Sequence, residues 1–114
     1  MTIKRDIRTP IMHRAVTAGN LVFIGGCVAD DTSAPMAEQT RNILGKIGSY
    51  LEQVGSGLEQ IVSATIFVTD LSQKKEMDAV WTEVFGDNLP ARATVGVKDL
   101  GGGALIEVVT TAQV

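Results

Sequence analysis

An arginine and a glutamate stand out because each sits among residues of the wrong kind for it. Arg92 lies in Pro90-Ala91-Arg92-Ala93-Thr94-Val95-Gly96, where small neighbours leave a guanidinium little steric competition. Its N–H donors form a rigid planar fork that fits a carboxylate through parallel hydrogen bonds. From the residues alone two readings stand: an edge-strand arginine pointing to water, or the anchor of an anionic ligand. Glu107 interrupts Ala104-Leu105-Ile106-Glu107-Val108-Val109, an otherwise apolar run. A carboxylate in such a setting must be paired, protonated or turned toward a wet pocket. It is either a structural ion-pair partner for Arg92 or Lys98, or a group that positions water or relays a proton. Cys27 with His13 as its base would make a nucleophile pair, but a lone cysteine in an apolar strand behaves as a small hydrophobe. His13 is the only histidine, and no Cys, His, Asp or Glu spacing around it resembles a metal site. Gly101-Gly102-Gly103 lacks the spacing and the following helix of a phosphate loop. Trp81 reads as core or interface packing.

These residues need elements to hold them. His13 to Ala18 and Leu21 to Val28 flank Gly19-Asn20, a pair that tolerates positive φ, and read as a hairpin. Ala29 to Pro35 is a polar loop, in which Ser33 can cap the next helix and Pro35 suits its first turn. Met36, Ile43, Leu44, Ile47, Leu51 and Val54 recur on one helical face, with Gly55 placed to end the helix in the left-handed conformation. Gly45 and Gly48 weaken that helix and are expected to allow close packing against a sheet. Ile61 to Val68 is a β-branched strand. Asp70 or Ser72 can cap a second helix with Met77, Val80, Trp81, Val84 and Phe85 on one face and Gly86 as its stop. Ala91 to Val97 and Leu105 to Ala112 are strands, with Gly101 to Gly103 as a turn between them. The order is ββαβαββ, an α/β (α+β) domain with two helices covering one face of the sheet. Several strands carry apolar residues in both alternating registers, as strands buried on both faces do. A monomer would then leave a large apolar face open, which predicts an oligomer.

The whole chain sets bounds on function. At 114 residues it fits one domain, residues 1–114. A 45% hydrophobic content supports a core, and 20% charged residues show no disorder signature. The net charge of −3, with no basic run, gives no electrostatic footprint for nucleic acid or an anionic membrane. The longest unbroken apolar stretch, Leu21 to Ile24, is far short of the roughly 20 residues of a spanning helix. Residues 1–8 lack the apolar core of a secretory leader. One cysteine cannot form an internal disulfide, so the expected setting is reducing and cytoplasmic.

A set of segments, in order, resembles one family. These are Gly19-Asn20-Leu21-Val22-Phe23-Ile24-Gly25-Gly26, Gln39-Thr40-Arg41-Asn42-Ile43-Leu44, Thr65-Ile66-Phe67-Val68-Thr69-Asp70-Leu71, Pro90-Ala91-Arg92-Ala93-Thr94-Val95 and Ile106-Glu107-Val108. They are similar to the Rid family of reactive intermediate deaminases, also called YjgF-like proteins and formerly L-PSP ribonucleases. The match runs from about Ala15 to Ala112. The resemblance implies a chorismate-mutase-like fold with a mixed sheet, and a homotrimer with clefts between subunits. It further implies hydrolysis of enamines or imines such as 2-aminoacrylate to 2-keto acids plus ammonia, without metal or organic cofactor. By the same resemblance Arg92 grips the substrate carboxylate, and Glu107 is associated with the attacking water. Backbone groups near Gly26 and Thr94 orient the substrate. The chain also departs from the family pattern. Met12 stands where the archetypes carry tyrosine, and Gly25-Gly26-Cys27 stands where they carry serine-glycine-glutamine. Thr94 replaces a cysteine, Gly96 an acidic residue, and Gly101-Gly102-Gly103 a loop rich in proline, lysine and aspartate. These changes make a more apolar pocket and mark a divergent subgroup. The alternative is a protein of the same fold that binds a small carboxylate, such as a 2-keto acid, without turning it over.

Overall fold

The computed structural model describes residues 2–114, in the order β1 (Ile3–Arg8), β2 (His13–Ala18), β3 (Leu21–Val28), α1 (Met36–Gln53), β4 (Ile61–Val68), α2 (Lys74–Phe85), β5 (Ala91–Gly96) and β6 (Ile106–Gln113). Short 3-10 turns at Leu58–Gln60 and Leu71–Gln73 lead into β4 and α2. The expected elements all form, and β1 is added to them. It is a charged strand that pairs with β2 at the edge of the sheet. One six-stranded sheet results, in the order β1-β2-β3-β6-β4-β5. Its neighbours run antiparallel except β4 and β5, which are parallel because α2 carries the chain back between them. The sheet is therefore mixed.

Local chemistry explains the element ends. Gly19 takes φ 62° in the β2–β3 turn, and Gly55 and Gly86 take φ 84° and 55° just past α1 and α2. Ser33 does not cap α1. Its hydroxyl instead donates to Asp31 Oδ1, and Pro35 occupies the cap position without a side-chain bond. Asp70 is a cap, but of the 3-10 turn, where its carboxylate accepts from Ser72 N. Of the two helical glycines, Gly48 packs against Leu58 rather than the sheet, and a side chain at Gly45 would meet nothing.

Alternation along the strands divides the sheet into two unlike faces. Ala15, Val22, Ile24, Ala64, Ile66, Val68, Ile106, Val108 and Ala112 are buried against Ile43, Leu44, Ile47 and Leu51 of α1 and Met77, Trp81 and Phe85 of α2. Gln39 is fully buried among them. Its amide nitrogen donates to the carbonyls of Thr32 and Ala34, and its oxygen accepts from Leu105 N at 3.2 Å. That one side chain ties the loop before α1 to the start of β6. Among the described residues no helix lies on the other face. There Phe23, Val95 and Val109 remain 47%, 41% and 37% exposed.

Candidate functional site

Strand pairing decides where the chemistry-bearing residues point. Arg92 is paired with Ala64, and Thr94 with Ile66, so both stand on the helical face at the β5 edge. Glu107 is paired with Phe67 and Val28, and so stands on the open face. Within one chain the two residues lie on opposite sides of the sheet. Neither ion pair considered for Glu107, with Arg92 or with Lys98, forms among the described residues.

Arg92 is not a solvated arginine either. Its Nη2 lies 2.7 Å from Asp78 Oδ1, and its side chain is only 20% exposed. Its guanidinium carbon sits 5.3 Å from the centroid of the Trp81 ring, within range of a cation–π interaction. Trp81 is itself buried and packs on Phe85 with ring centroids 4.7 Å apart. The second oxygen of Asp78 accepts from Lys74 Nζ at 2.7 Å. Burial raises the Asp78 pKa, but the hydrogen bonds and charges of Lys74 and Arg92 outweigh it and hold the carboxyl below its ordinary value. Thr94 adds a hydroxyl oxygen that is buried and has no hydrogen-bond partner among the described residues.

The open face carries a second group. Between Ile24 and Cys27 the β3–β6 register slips, so Gly25 and Gly26 form a bulge opposite β6. A side chain at Gly26 would collide with the Glu107 carboxylate, and one at Gly25 would lie 2.9 Å from the Met12 sulphur. The glycines are there for space: Glu107 lies over the first and Met12 over the second. Met12 is held in place by a tight turn, in which Thr9 N donates to Met12 O at 2.7 Å and Met12 N donates to Thr9 Oγ1 at 3.1 Å. That turn borders an open surface pocket of about 230 Å³ lined by Arg8, Thr9, Pro10, Ile11, Met12 and His13.

Cys27 belongs to neither group. It is 1% exposed and paired with Val108 on the helical face. Burial pushes its thiol pKa up, only partly opposed by the charges of Lys46 and Arg14. A thiol so placed is a poor nucleophile and offers a ligand no accessible surface. Among the described residues no three His, Cys, Asp or Glu side chains converge as metal ligands would. Nor is any helix long and apolar enough to cross a membrane.

The structure thus brings Met12, Gly26 and Glu107 together at one bulge, and Arg92 and Thr94 together at one edge. Sequence reasoning missed Asp78 and the second role of Trp81. The available signal was their spacing. Asp78 borders the apolar stripe of α2, one turn before the tryptophan and one turn after Lys74.

A mixed sheet with both helices on one face, an arginine at its edge and a carboxylate over a glycine bulge defines a class of small α/β proteins. The family model described as Endoribonuclease L-PSP matches residues 6–114, and the chain belongs to this family. It is 32% identical to a RutC family protein of Pyrococcus abyssi over 101 residues, 83% of this chain and 80% of that one. A crystal structure of a YjgF family member from Neisseria meningitidis superposes with a TM-score of 0.91 at 30% identity, covering 99% and 95% of the two chains. A YjgF/YER057c/UK114 family member from Mycobacterium tuberculosis gives a TM-score of 0.86 at 34% identity, covering 92% and 88%.

Proposed function

We propose that this protein hydrolyses small carboxylate-bearing imines and enamines to 2-keto acids and ammonia, in clefts between the subunits of a homotrimer. The observation that carries this reading is the separation of Arg92 and Glu107 by the sheet. One chain cannot apply both to one small molecule, whereas the edge of one copy set against the bulge of another can. The exposed Phe23, Val95 and Val109 supply an apolar face for such an assembly.

The chemistry follows from the groups. Arg92 binds the substrate carboxylate through its fork and so orients the adjacent C=N carbon. An enamine first takes a proton on its terminal carbon, which gives the protonated imine. Water then adds to the C=N carbon, with Glu107 accepting a water proton. Glu107 returns that proton to the carbinolamine nitrogen, the C–N bond breaks to release ammonia, and the hydroxyl proton passes back to Glu107 as the oxygen becomes the keto C=O. The C=N carbon is already electrophilic, so the reaction calls for no cofactor. The lone reduced Cys27 fits a cytoplasmic setting. An RNA substrate fits less well, because the net charge is −3 and Trp81 is buried rather than free to stack.

The test is ammonia release from a panel of 2-imino acids generated in situ by an amino-acid oxidase. Arg92→Ala should lose on the order of a hundredfold in kcat/KM, as expected for one or more charge-assisted hydrogen bonds. A wild-type protein that never outpaces spontaneous hydrolysis across the panel overturns the reading. In that case tight 2-keto acid binding through Arg92 supports the second reading, a carboxylate-binding protein. The specific observation favouring that reading is Met12 at the bulge, where a hydroxyl-bearing tyrosine would be expected.

A further inference from the structure

We propose that Asp78 is a positioning residue for Arg92, fixing the guanidinium before an anionic substrate arrives. This rests on the reading that Arg92 binds a substrate carboxylate. A free arginine at a sheet edge samples many rotamers, and ordering it costs binding free energy. Here two groups one turn apart on α2 fix it in advance. Asp78 Oδ1 holds Nη2 at 2.7 Å, and the Trp81 ring lies 5.3 Å from the guanidinium carbon. Trp81 is 2% exposed and wedged against Phe85, so it cannot swing away. Asp78 is held in turn by Lys74 at 2.7 Å. The contact of Arg92 Nη2 with Asp78 Oδ1 is an ion pair rather than a well-aligned hydrogen bond, which leaves the donors of the fork for a ligand.

The same contact has an opposite reading, in which Asp78 occupies the anion site and must be displaced. The two differ in sign. If Asp78 positions Arg92, Asp78→Asn weakens carboxylate binding. If it competes, Asp78→Asn tightens it.

The experiment measures the affinity of 2-oxobutanoate, an unreactive keto acid, by calorimetry for wild type, Asp78→Asn, Arg92→Ala and the double variant. Imine turnover is measured alongside. The positioning role predicts about three- to tenfold weaker binding in Asp78→Asn, the scale of ordering one long side chain. KM should rise with kcat nearly unchanged, and Asp78→Glu should restore part of the affinity. In the Arg92→Ala background Asp78→Asn should have no further effect, an outcome that general loosening of α2 would not produce. Unchanged or tighter binding in Asp78→Asn, or additive losses in the double variant, overturns the proposal. An Arg92→Ala protein that binds as well as wild type refutes instead the reading of Arg92 on which it rests. If Asp78→Asn does not fold, Lys74→Gln, which frees Asp78 on its far side, should loosen Arg92 and weaken binding in the same direction. Unaltered binding in that variant also overturns the proposal.

Discussion

Replacing Gly26 with alanine should damage the chemistry far more than the fold. Gly26 is not among the positive-φ glycines, so the new methyl group brings no backbone strain. Its effect is steric. The added carbon would lie 3.0 Å from Glu107 Cδ and nearer still to the carboxylate oxygen Oε2, against an ordinary carbon–carbon contact of about 3.5–4.0 Å. The carboxylate must retreat by roughly 1 Å, and it can, because it ends a flexible side chain on the open face. Stability should therefore fall by less than the ~1–3 kcal/mol typical of overpacking a closed core. At roughly 4–8 °C per kcal/mol for a domain near this size, a loss of about 1 kcal/mol would lower Tm by only about 4–8 °C. A displacement of that size in a group that positions water costs about a hundredfold in rate. The assay is imine turnover beside thermal unfolding, with Glu107→Gln as the reference for complete loss of the carboxylate. Full turnover in Gly26→Ala with an inactive Glu107→Gln would refute the reasoning, because the carboxylate would then not depend on the space above the bulge. A collapse in Tm would refute it differently, by showing that Gly26 is packed on all sides.

The remaining predictions concern charge, assembly and the thiol. Asp78 has its carboxyl pKa lowered from 3.8 on folding, so it stabilises the fold above that value. That contribution is lost as pH falls from about 4 through the still lower folded value. Asp78→Asn should accordingly flatten the acid limb of a Tm-against-pH curve, while an unchanged limb would show that the ion pairs are too solvated to matter. Phe23→Glu on the open sheet face should convert the proposed trimer to monomer in light scattering. An unchanged mass would place the subunit contact elsewhere. Cys27 should react with a thiol reagent only as fast as the protein unfolds, and rapid labelling of the native chain would contradict its burial.

Periodicity and turn chemistry made most of the fold legible in the sequence. The stripe from Met36 to Val54, the β-branched run Ile61 to Val68, and the glycine stops at Gly55 and Gly86 are local signals, and each forms as read. β1 was not legible. Ile3-Lys4-Arg5-Asp6-Ile7-Arg8 is charged and barely apolar, as suits an edge strand, and only its pairing with β2 makes it one. The α1 cap was misread because Ser33 had a nearer partner in Asp31.

Arg92 and Glu107 were conspicuous for the same reason: each is a charge among residues that cannot solvate it. Residue type and neighbours alone determined that Glu107 needed a partner or a wet pocket, and left Arg92 open between solvent and an anionic ligand. Tertiary structure decided which partners, because facing is set by register between strands distant in sequence. Ala64 opposite Arg92 and Phe67 opposite Glu107 are an odd number of residues apart on β4, so the two charges fall on opposite faces. No pattern local to β5 or β6 encodes that parity. The consequence for the site is large. Arg92 turns to Asp78 and Trp81 on its own helix layer, and Glu107 is left on the face that no helix of the described residues covers.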